Sequence, residues 1–557
     1  MTFNGSYNTS VSSDLTKDST FQSHNDLKDS ERSDEDLYQA RSSIVPLQMD
    51  EKGAEETHRL ASLSDKRKAA LLGLFALANF IDLANSTGVA VAAVEIAKDT
   101  GLSTSQVVWT VTSYSLTFAS FLLFAGRLSD LYPAEYVFEG GFLALGVLSL
   151  ITSFVTHSKY AFLVMRGLGG IAGAMTRPSS YHLVVHMYPN LAEQAPKLAI
   201  LSIAGGVGNV IGFILAGVCM LASYEWFFRL IAILCLISTA LSIYFLPHTW
   251  PLSSARHPRS LEDSIPNWRK MDMPGVVMMM GFLVCLILSL TQGPIDGWGA
   301  ASFVAPFIIS WPLIIGFFVW ESKIPANTAI LPNTVWMITN AIIASLATLI
   351  PMGFYGTSQL LFANYWQIAF NWKPLHAAVA LLPQGIMTLV TGVLVKSIPA
   401  LVEKPRWVIP ASALLIVGAE VLQITSSGGE GIKYWSHLFP AFILGSAGGM
   451  AIMIASSINF VRMCPPEMAG VAGAWTGVVF QVGGAITLAV QAGLESPNPT
   501  TFMDSGAKAY YFIIGWTVVL AGAYGVFYRT PKSVGEEHEE ARRRIGSGPS
   551  GASFGQA

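Results

Sequence analysis

The sequence predicts an all-α membrane protein of fourteen transmembrane helices, and three observations carry that expectation. Fourteen separate stretches of about 20 mostly apolar residues follow one another, and a helix rising about 1.5 Å per residue needs that length to cross a hydrocarbon core of about 30 Å. Of 557 residues, 52% are hydrophobic and only 12% are Asp, Glu, Lys or Arg, about half the charged share of soluble domains, so a water-facing surface of ordinary size cannot be covered. The basic residues of the short connections are also unevenly shared. If the N-terminus is cytoplasmic, eleven fall on the inner side, among them Arg127, Lys197, Lys404 and Arg462, and five on the outer side, at Lys98, Lys159, Lys373, Lys433 and Lys508. Inner loops carry the excess in membrane proteins, and backbone in lipid must be helical because its polar groups find no water there.

The elements follow in order. Residues 1–65 are rich in Ser, Asp, Glu, Asn and Lys, a composition that buries too little apolar surface to order itself. No apolar core follows the early basic residues, so a cleavable signal peptide is not expected and the first span serves for insertion. That span, 69–92, begins behind Lys66, Arg67 and Lys68 and places Asp82 about 20 Å deep by helix rise. The second, 106–125, carries Tyr114 and leads into a short loop, Gly126-Arg127-Leu128-Ser129-Asp130. The third, 137–155, carries Glu139. The fourth, 161–184, contains Arg166-Gly167-Leu168-Gly169-Gly170-Ile171-Ala172-Gly173 and then Arg177-Pro178, where proline leaves a helix bond unmade. His182 and His186 share a face near its inner end; two ligands are too few for a metal, and a solvated interface is expected.

The fifth span, 198–221, holds Gly205-Gly206-Val207-Gly208-Asn209-Val210-Ile211-Gly212, a small-residue stripe of the kind that lets helices approach closely. Asn209 within it either bonds across helices or faces a cavity. Spans 226–246, 274–291 and 302–320 are apolar runs, the seventh leading into Leu290-Thr291-Gln292-Gly293. The ninth, 336–362, precedes Tyr365, Trp366 and Gln367; the tenth, 375–395, contains Leu381-Leu382-Pro383. Span 407–425 is followed by 437–460 with Gly445, Gly448 and Gly449, by 470–493 with Trp475 and Phe480-Gln481-Val482-Gly483-Gly484, and by 509–528. The chain from Pro531 is polar again and is expected to be disordered. An even number of spans puts both tails on one side, the cytoplasm.

Chemistry must then be sought inside the bilayer. A charge at the centre of a lone span costs about 2.5 to 3.5 kcal/mol on insertion scales, so Asp82, Glu139, Arg166 and Arg177 need partners, water or a function. Desolvation favours the protonated form of a buried acid and a neighbouring Arg favours the carboxylate, a balance that lets one group take up and release a proton. Asp82 is expected to be the proton site and Arg166 its neighbour. Arg177 either binds an anionic substrate or pairs with Glu139, and pairing is favoured because an unpartnered cation is costly. No Gly-x4-Gly-Lys-Ser/Thr phosphate loop, His-Glu-x-x-His or Gly-x-Ser-x-Gly occurs, so neither an ATP-driven machine nor an enzyme is expected, and no nucleic-acid partner. Cys219, Cys235, Cys285 and Cys464 have no paired spacing; no metal or other cofactor is expected.

These motifs, in this order, resemble the major facilitator superfamily. Gly126, Arg127 and Asp130 are similar to the first half of its inner-loop signature, although Pro133, Ala134 and Glu135 depart from the second half. Asp82 resembles the acidic position of drug:proton antiporters, with Val94 where a Pro is usual; the Arg166 motif has Gly169 where Gln is common. The fifth span is similar to the antiporter motif with Asn209 replacing its Pro. The resemblance covers residues 69 to 530 and is nearest the fourteen-span drug:proton antiporters, in their fungal aminotriazole-resistance-like branch.

The resemblance implies two six-helix bundles, residues 69–246 and 336–528, joined by an inserted helix pair, 274–320, and rocking about a central cavity. It implies a proton-coupled exporter of small amphipathic or toxic compounds, working as a monomer at the plasma membrane or the vacuolar membrane. Gly126, Arg127 and Asp130 would form the conformational switch; Gly205, Gly208, Asn209 and Gly212 the packing motif. Tyr114, Asn209, Tyr365, Trp366, Gln367, Trp475 and Gln481 would contact substrate. A proton-coupled importer and a non-transporting receptor are the alternatives.

Overall fold

The computed structural model describes residues 59–103, 106–155, 158–248, 272–324, 339–397, 404–463, 469–494 and 499–529. Most of the two tails and the basic loop holding Arg256, Arg259, Arg269 and Lys270 lie outside the described residues. The described chain runs α1 (Asp65–Thr100), α2 (Trp109–Leu131), α3 (Ala134–Thr152), α4 (Lys159–Met187), α5 (Leu191–Cys219), α6 (Glu225–Phe245), α7 (Met273–Asp296) and α8 (Ala301–Glu321). It continues through α9a (Thr339–Ala347), α9b (Ile350–Ile368), α10 (Pro374–Ser397), α11 (Pro405–Thr425), α12 (Phe439–Met463), α13 (Ala469–Leu494) and α14 (Pro499–Phe527). Among the described residues, twelve helices are long and apolar enough to cross a membrane by length and composition. The more polar α2 and α4 are not among them.

Local sequence explains the ends and breaks. Asp272 caps α7 by accepting a 3.0 Å bond from the Gly275 N–H, which satisfies one of the orphan donors of a helix start. Gly101 ends α1 at φ 72°, in the left-handed region where glycine carries no Cβ penalty. Pro351 splits the ninth span: it has no N–H to offer the Ala347 carbonyl, and α9a stops at that residue. A π-helical turn, Tyr434–Leu438, introduces α12.

One boundary differs from the sequence expectation in a way that matters. Gly126 to Leu131 are not a loop but the last turns of α2, because nothing before Pro133 breaks the helix. The usable turn is therefore short, with α3 starting at Ala134.

The helices sort by packing. Within α1–α6, α1 packs most heavily on α5, α2 on α4, and α3 on both α4 and α6. Within α9–α14, α11 packs on α12 and α14, α10 on α12, and α9b on α13. The two groups meet through α5 against α10 and α2 against α13, and α7 lies along both α2 and α13. Its hairpin partner α8 turns Ile308, Ile309, Trp311 and Ile315 outward, each at least half exposed, as a lipid-facing helix should. The α1–α5 contact is set by glycine: a Cβ on Gly208 would strike the Phe80 carbonyl, and one on Gly212 would strike Thr87 and the Ala84 backbone.

Candidate functional site

Two helices bring the intramembrane charges together. Asp82 sits at the midpoint of the 36-residue α1, and Asn85 lies one turn further on the same face. On α4, Arg166 and Arg177 are eleven residues apart, close to three full turns or about 16 Å, so both share a face. The structure places Arg177 Nη1 3.7 Å from Asp82 Oδ2, while the Tyr114 hydroxyl donates to Asp82 Oδ1 at 3.1 Å. Asp82 is 6% exposed. A carboxylate at such depth is tolerable because it has both a counterion and a donor.

Arg166 lies in the first half of α4 and joins this network without touching Asp82 directly. It donates to Asn85 Oδ1 at 3.1 Å and to the Thr110 carbonyl at 3.2 Å. Its guanidinium lies 4.8 Å from the Tyr114 ring centroid and 5.9 Å from that of Phe228, a stacking that suits a delocalised cation. Tyr114 is thus shared: its ring supports Arg166 and its hydroxyl holds Asp82. Glycines make that possible, since a Cβ on Gly173 would strike the Tyr114 hydroxyl and one on Gly170 the Tyr114 carbonyl. A small pocket beside the network is lined by Asn85, Tyr114, Ser149, Thr152 and Arg166.

The expected Arg177–Glu139 pair is corrected. Glu139 instead meets His248 Nε2 through both oxygens, at 2.9 and 3.0 Å, because α3 packs along α6 and meets the chain just past its C-terminal end. Arg177 takes Asp82. The stacked rings of His182 and His186, with centroids 4.1 Å apart, gather no third ligand: among the described residues no group of three or more His, Cys, Asp or Glu could hold a metal.

The residues named for substrate contact scatter. Gln481 lines a small pocket with Thr112, Ser115 and Ile287 that has room for about one water, far short of the usual ligand-site range of about 300 to 1,000 Å³. Asn209 faces Gln359 across the two helix groups at 3.4 Å, and Gln367 donates to the Val91 carbonyl at 3.0 Å. Tyr365 and Trp366 are not brought to the pocket. Trp366 is fully buried and donates to the Gly428 carbonyl at 2.9 Å, and Tyr365 packs edge-on to Phe370, both in an aromatic cluster at the C-terminal end of α9b. Trp475 donates to Ser345 Oγ at 2.7 Å, within its own group. Gly126 stands where α2 meets α13 and α4, 3.9 Å from Ala474 and from Pro178 by its Cβ direction. Arg127 is half-buried beside it; the Asp130 side chain lies outside what is described.

Sequence reasoning missed Asn85, His248, Gln359 and the polar run Ser358, Gln384, Thr388 and Tyr355, linked at 2.6 Å (Gln384 to Ser358) and 2.9 Å (Tyr355 to Thr388). Asn85 was findable, since it lies one turn from Asp82. His248 was not, because it follows its span and its partner is more than a hundred residues away.

Comparison with known proteins adds the family. Residues 75–488 match the family model described as Major Facilitator Superfamily. The chain is 26% identical over 480 residues, 84% of its length and 90% of the relative's, to the puromycin resistance protein pur8 of Streptomyces alboniger. It is 26% identical to the efflux pump terJ of Aspergillus terreus, covering 80% of this chain and 84% of that one. It is 24% identical to the multidrug transporter mfsC of Aspergillus fumigatus, covering 78% and 82%. Among solved structures, a peptide transporter of the POT family superposes with a TM-score of 0.60 at 14% identity, covering 82% of this chain and 95% of that one, which speaks for the fold alone.

Proposed function

The chain belongs to the Major Facilitator Superfamily and is a multi-pass membrane transporter of small molecules rather than an enzyme, and from that premise we propose that it is a proton-coupled exporter of amphipathic or toxic compounds. The observation that carries the proton is Asp82, buried at the middle of α1 between Tyr114 and Arg177. Export is supported by relatives named for puromycin resistance, cephamycin export and efflux. By its motifs the chain resembles the fourteen-span drug:proton antiporters, in the fungal aminotriazole-resistance-like branch, and we place it there. On this reading α1–α6 and α9–α14 are the two rocking bundles of a monomer, α7 and α8 the inserted pair, and both termini are cytoplasmic at the plasma membrane.

In this cycle a proton reaching Asp82 neutralises it and frees Arg177 from its counterion. Loss of the proton restores the pair. Substrate occupies the space between Gln481 on α13 and the facing side of α2, where the small pocket opens further as the bundles part.

The test is transport by the purified protein in proteoliposomes under an imposed pH gradient, using a dye or antibiotic found by sensitivity screening. Asp82→Asn should abolish gradient-driven transport while leaving folding and orientation unchanged. Full gradient-driven activity in that variant, or wild-type efflux indifferent to an uncoupler, would overturn the reading. A second reading, proton-coupled import, is favoured by one feature: Asn209 stands where the antiporter motif has Pro. Direction of accumulation in the same vesicles separates the two.

A further inference from the structure

A second acid lies inside the membrane region, remote from the Asp82 network. Glu420, on α11, is fully buried, and neither carboxyl oxygen has a hydrogen-bond partner among the described residues. One turn on, Gln423 is also fully buried, with both its amide nitrogen and its oxygen unpartnered. The spacing of three residues puts both side chains on one face of the helix.

That face is covered by other helices. Gly525 of α14 has its Cβ direction 3.8 Å from Pro410, which registers α11 against α14. Glu420 is ten residues on from Pro410, and Trp516 and Thr517 are nine and eight residues back from Gly525, so in antiparallel packing all three lie at similar depth. The Thr517 hydroxyl and the Trp516 indole nitrogen are likewise buried without a partner. Six polar atoms on two adjoining helices lack a partner among the described residues, and buried polar groups of this kind call for one, be it a water, a proton or an ion.

Charge identifies the species. Three elements pack on α11: α12, α14 and the π-helical turn. Among the side chains described on them, the titratable groups are Tyr434, His437, Lys508, Tyr510, Tyr511 and Tyr524; the side chains of Arg462 and Asp504 lie outside what is described. Lys508 and Tyr511 are exposed and the Tyr434 hydroxyl donates to the Ala380 carbonyl, while Tyr524 stacks on Tyr528. Among the described residues no counterion meets Glu420, so an ionised carboxylate there would be buried without one, a costly arrangement.

We propose that Glu420 is a second proton-binding carboxyl of this carrier, exchanging its proton independently of Asp82, with Gln423 accepting from the neutral acid and Thr517 completing the polar pocket. A proton on one oxygen converts it to a donor that the Gln423 side-chain oxygen can accept, while the second oxygen accepts from the Gln423 amide or the Thr517 hydroxyl. The π-helical turn that opens α12, packed on the same helix, supplies local irregularity of the sort found at functional sites. The use of this proton in transport rests on the reading of the chain as a proton-coupled carrier; its binding does not.

The experiment reads binding directly. Full-length protein in lipid nanodiscs is titrated from alkaline to acid buffer while infrared difference spectra follow the carboxylic-acid C=O stretch. Wild type should gain a band that Glu420→Gln abolishes and Asp82→Asn leaves in place. Gln423→Leu and Thr517→Val, which keep the acid, should move that band to higher frequency by removing its partners. A spectrum unchanged by Glu420→Gln would overturn the proposal. A Glu420 band that never titrates would mark a fixed structural acid and overturn exchange. A band lost on replacing choline with sodium at constant pH would assign the site to a metal cation instead. Should Glu420→Gln fail to fold, the band shifts in the Gln423 and Thr517 variants decide alone. Gradient-independent transport alongside a titrating Glu420 band would reject the proposed function and leave this site standing.

Discussion

The Asp82–Arg177 pair is the contact whose removal should be felt most. At 3.7 Å, Coulomb's law with an effective dielectric of about 20 gives about 4 kcal/mol of attraction. The Arg177 side chain is 23% exposed and that of Asp82 8%, so solvent screening trims the figure to about 2 to 3 kcal/mol. Arg177→Met alone leaves a buried carboxylate with a single hydroxyl donor and should lower stability by about 3 kcal/mol, the cost typical of stranding one member of a buried pair. Asp82→Asn strands a cation that reaches water more easily and should cost less, about 1 to 2 kcal/mol. The double variant removes both charges and should cost about 2 to 3 kcal/mol rather than the about 4 to 5 of the summed singles, a coupling of about 2 kcal/mol. Equilibrium unfolding in mixed micelles, followed by circular dichroism for the four proteins of the cycle, measures it. Single effects that add to the double within about 0.5 kcal/mol would refute the claim that the two charges hold each other.

Other consequences can be checked in the same background. Gly208→Ala should destabilise by about 1 to 3 kcal/mol through overpacking against the Phe80 backbone, whereas Gly206→Ala, with nothing within 4 Å, should be silent; thermal unfolding compares them. Tyr114→Phe deletes only the bond to Asp82 and should cost about 1 kcal/mol, while Tyr114→Ala also removes the ring beneath Arg166 and should cost more in the same assay. Gln481→Ala should alter the apparent substrate KM severalfold without touching the response to the pH gradient, measured by initial efflux rates. His248→Ala should lower unfolding stability by about 1 kcal/mol through the lost Glu139 bonds and leave proton dependence intact.

The fold was legible because a bilayer restricts what a chain can do. Twenty apolar residues in a row mean a helix, and the expected spans fall on helices throughout the described regions. Ends were less legible, because helices outrun the hydrocarbon: α1 reaches Thr100, beyond the expected residue 92, until Gly101 stops it. Asp82, Arg166 and Arg177 could be singled out because charges are rare in such spans. Their partners could not, because pairing depends on helix rotation and tilt, which hydropathy does not encode. That is why Arg177 was assigned to Glu139 when both were visible and Asp82 was the nearer acid. Tyr365 and Trp366 went astray for a related reason: an aromatic at a span end serves packing and ligand contact equally well until the neighbours are known.

The location of the Asp82 network suggests what its proton could move. The helix pairs with the most extensive contact in this region are α1 with α5 and α2 with α4, and both are locked by glycine: Gly208 and Gly212 against the Phe80 and Ala84 backbone, Gly170 against the Tyr114 carbonyl and Gly173 against the Tyr114 hydroxyl. Each pair should therefore move as one body. The polar contacts described between the pairs are Arg177 to Asp82, Tyr114 to Asp82, and Arg166 to Asn85, and all three run from the α2–α4 pair to α1. Two of the three end on a single carboxylate. Protonating Asp82 removes the charge from both of those while leaving the apolar packing untouched, so the interface is loosened without either pair being disrupted. The α1–α5 pair also carries Val91 and Asn209, which meet Gln367 and Gln359 on α9b. A shift of that pair is thus felt directly at the seam with the other helix group. On this geometry Gln367→Leu, which cuts the seam but not the network, should leave proton uptake at Asp82 intact and weaken its coupling to substrate movement. Infrared titration of Asp82 beside transport assays would show the two separating; equal loss of both would place the coupling elsewhere.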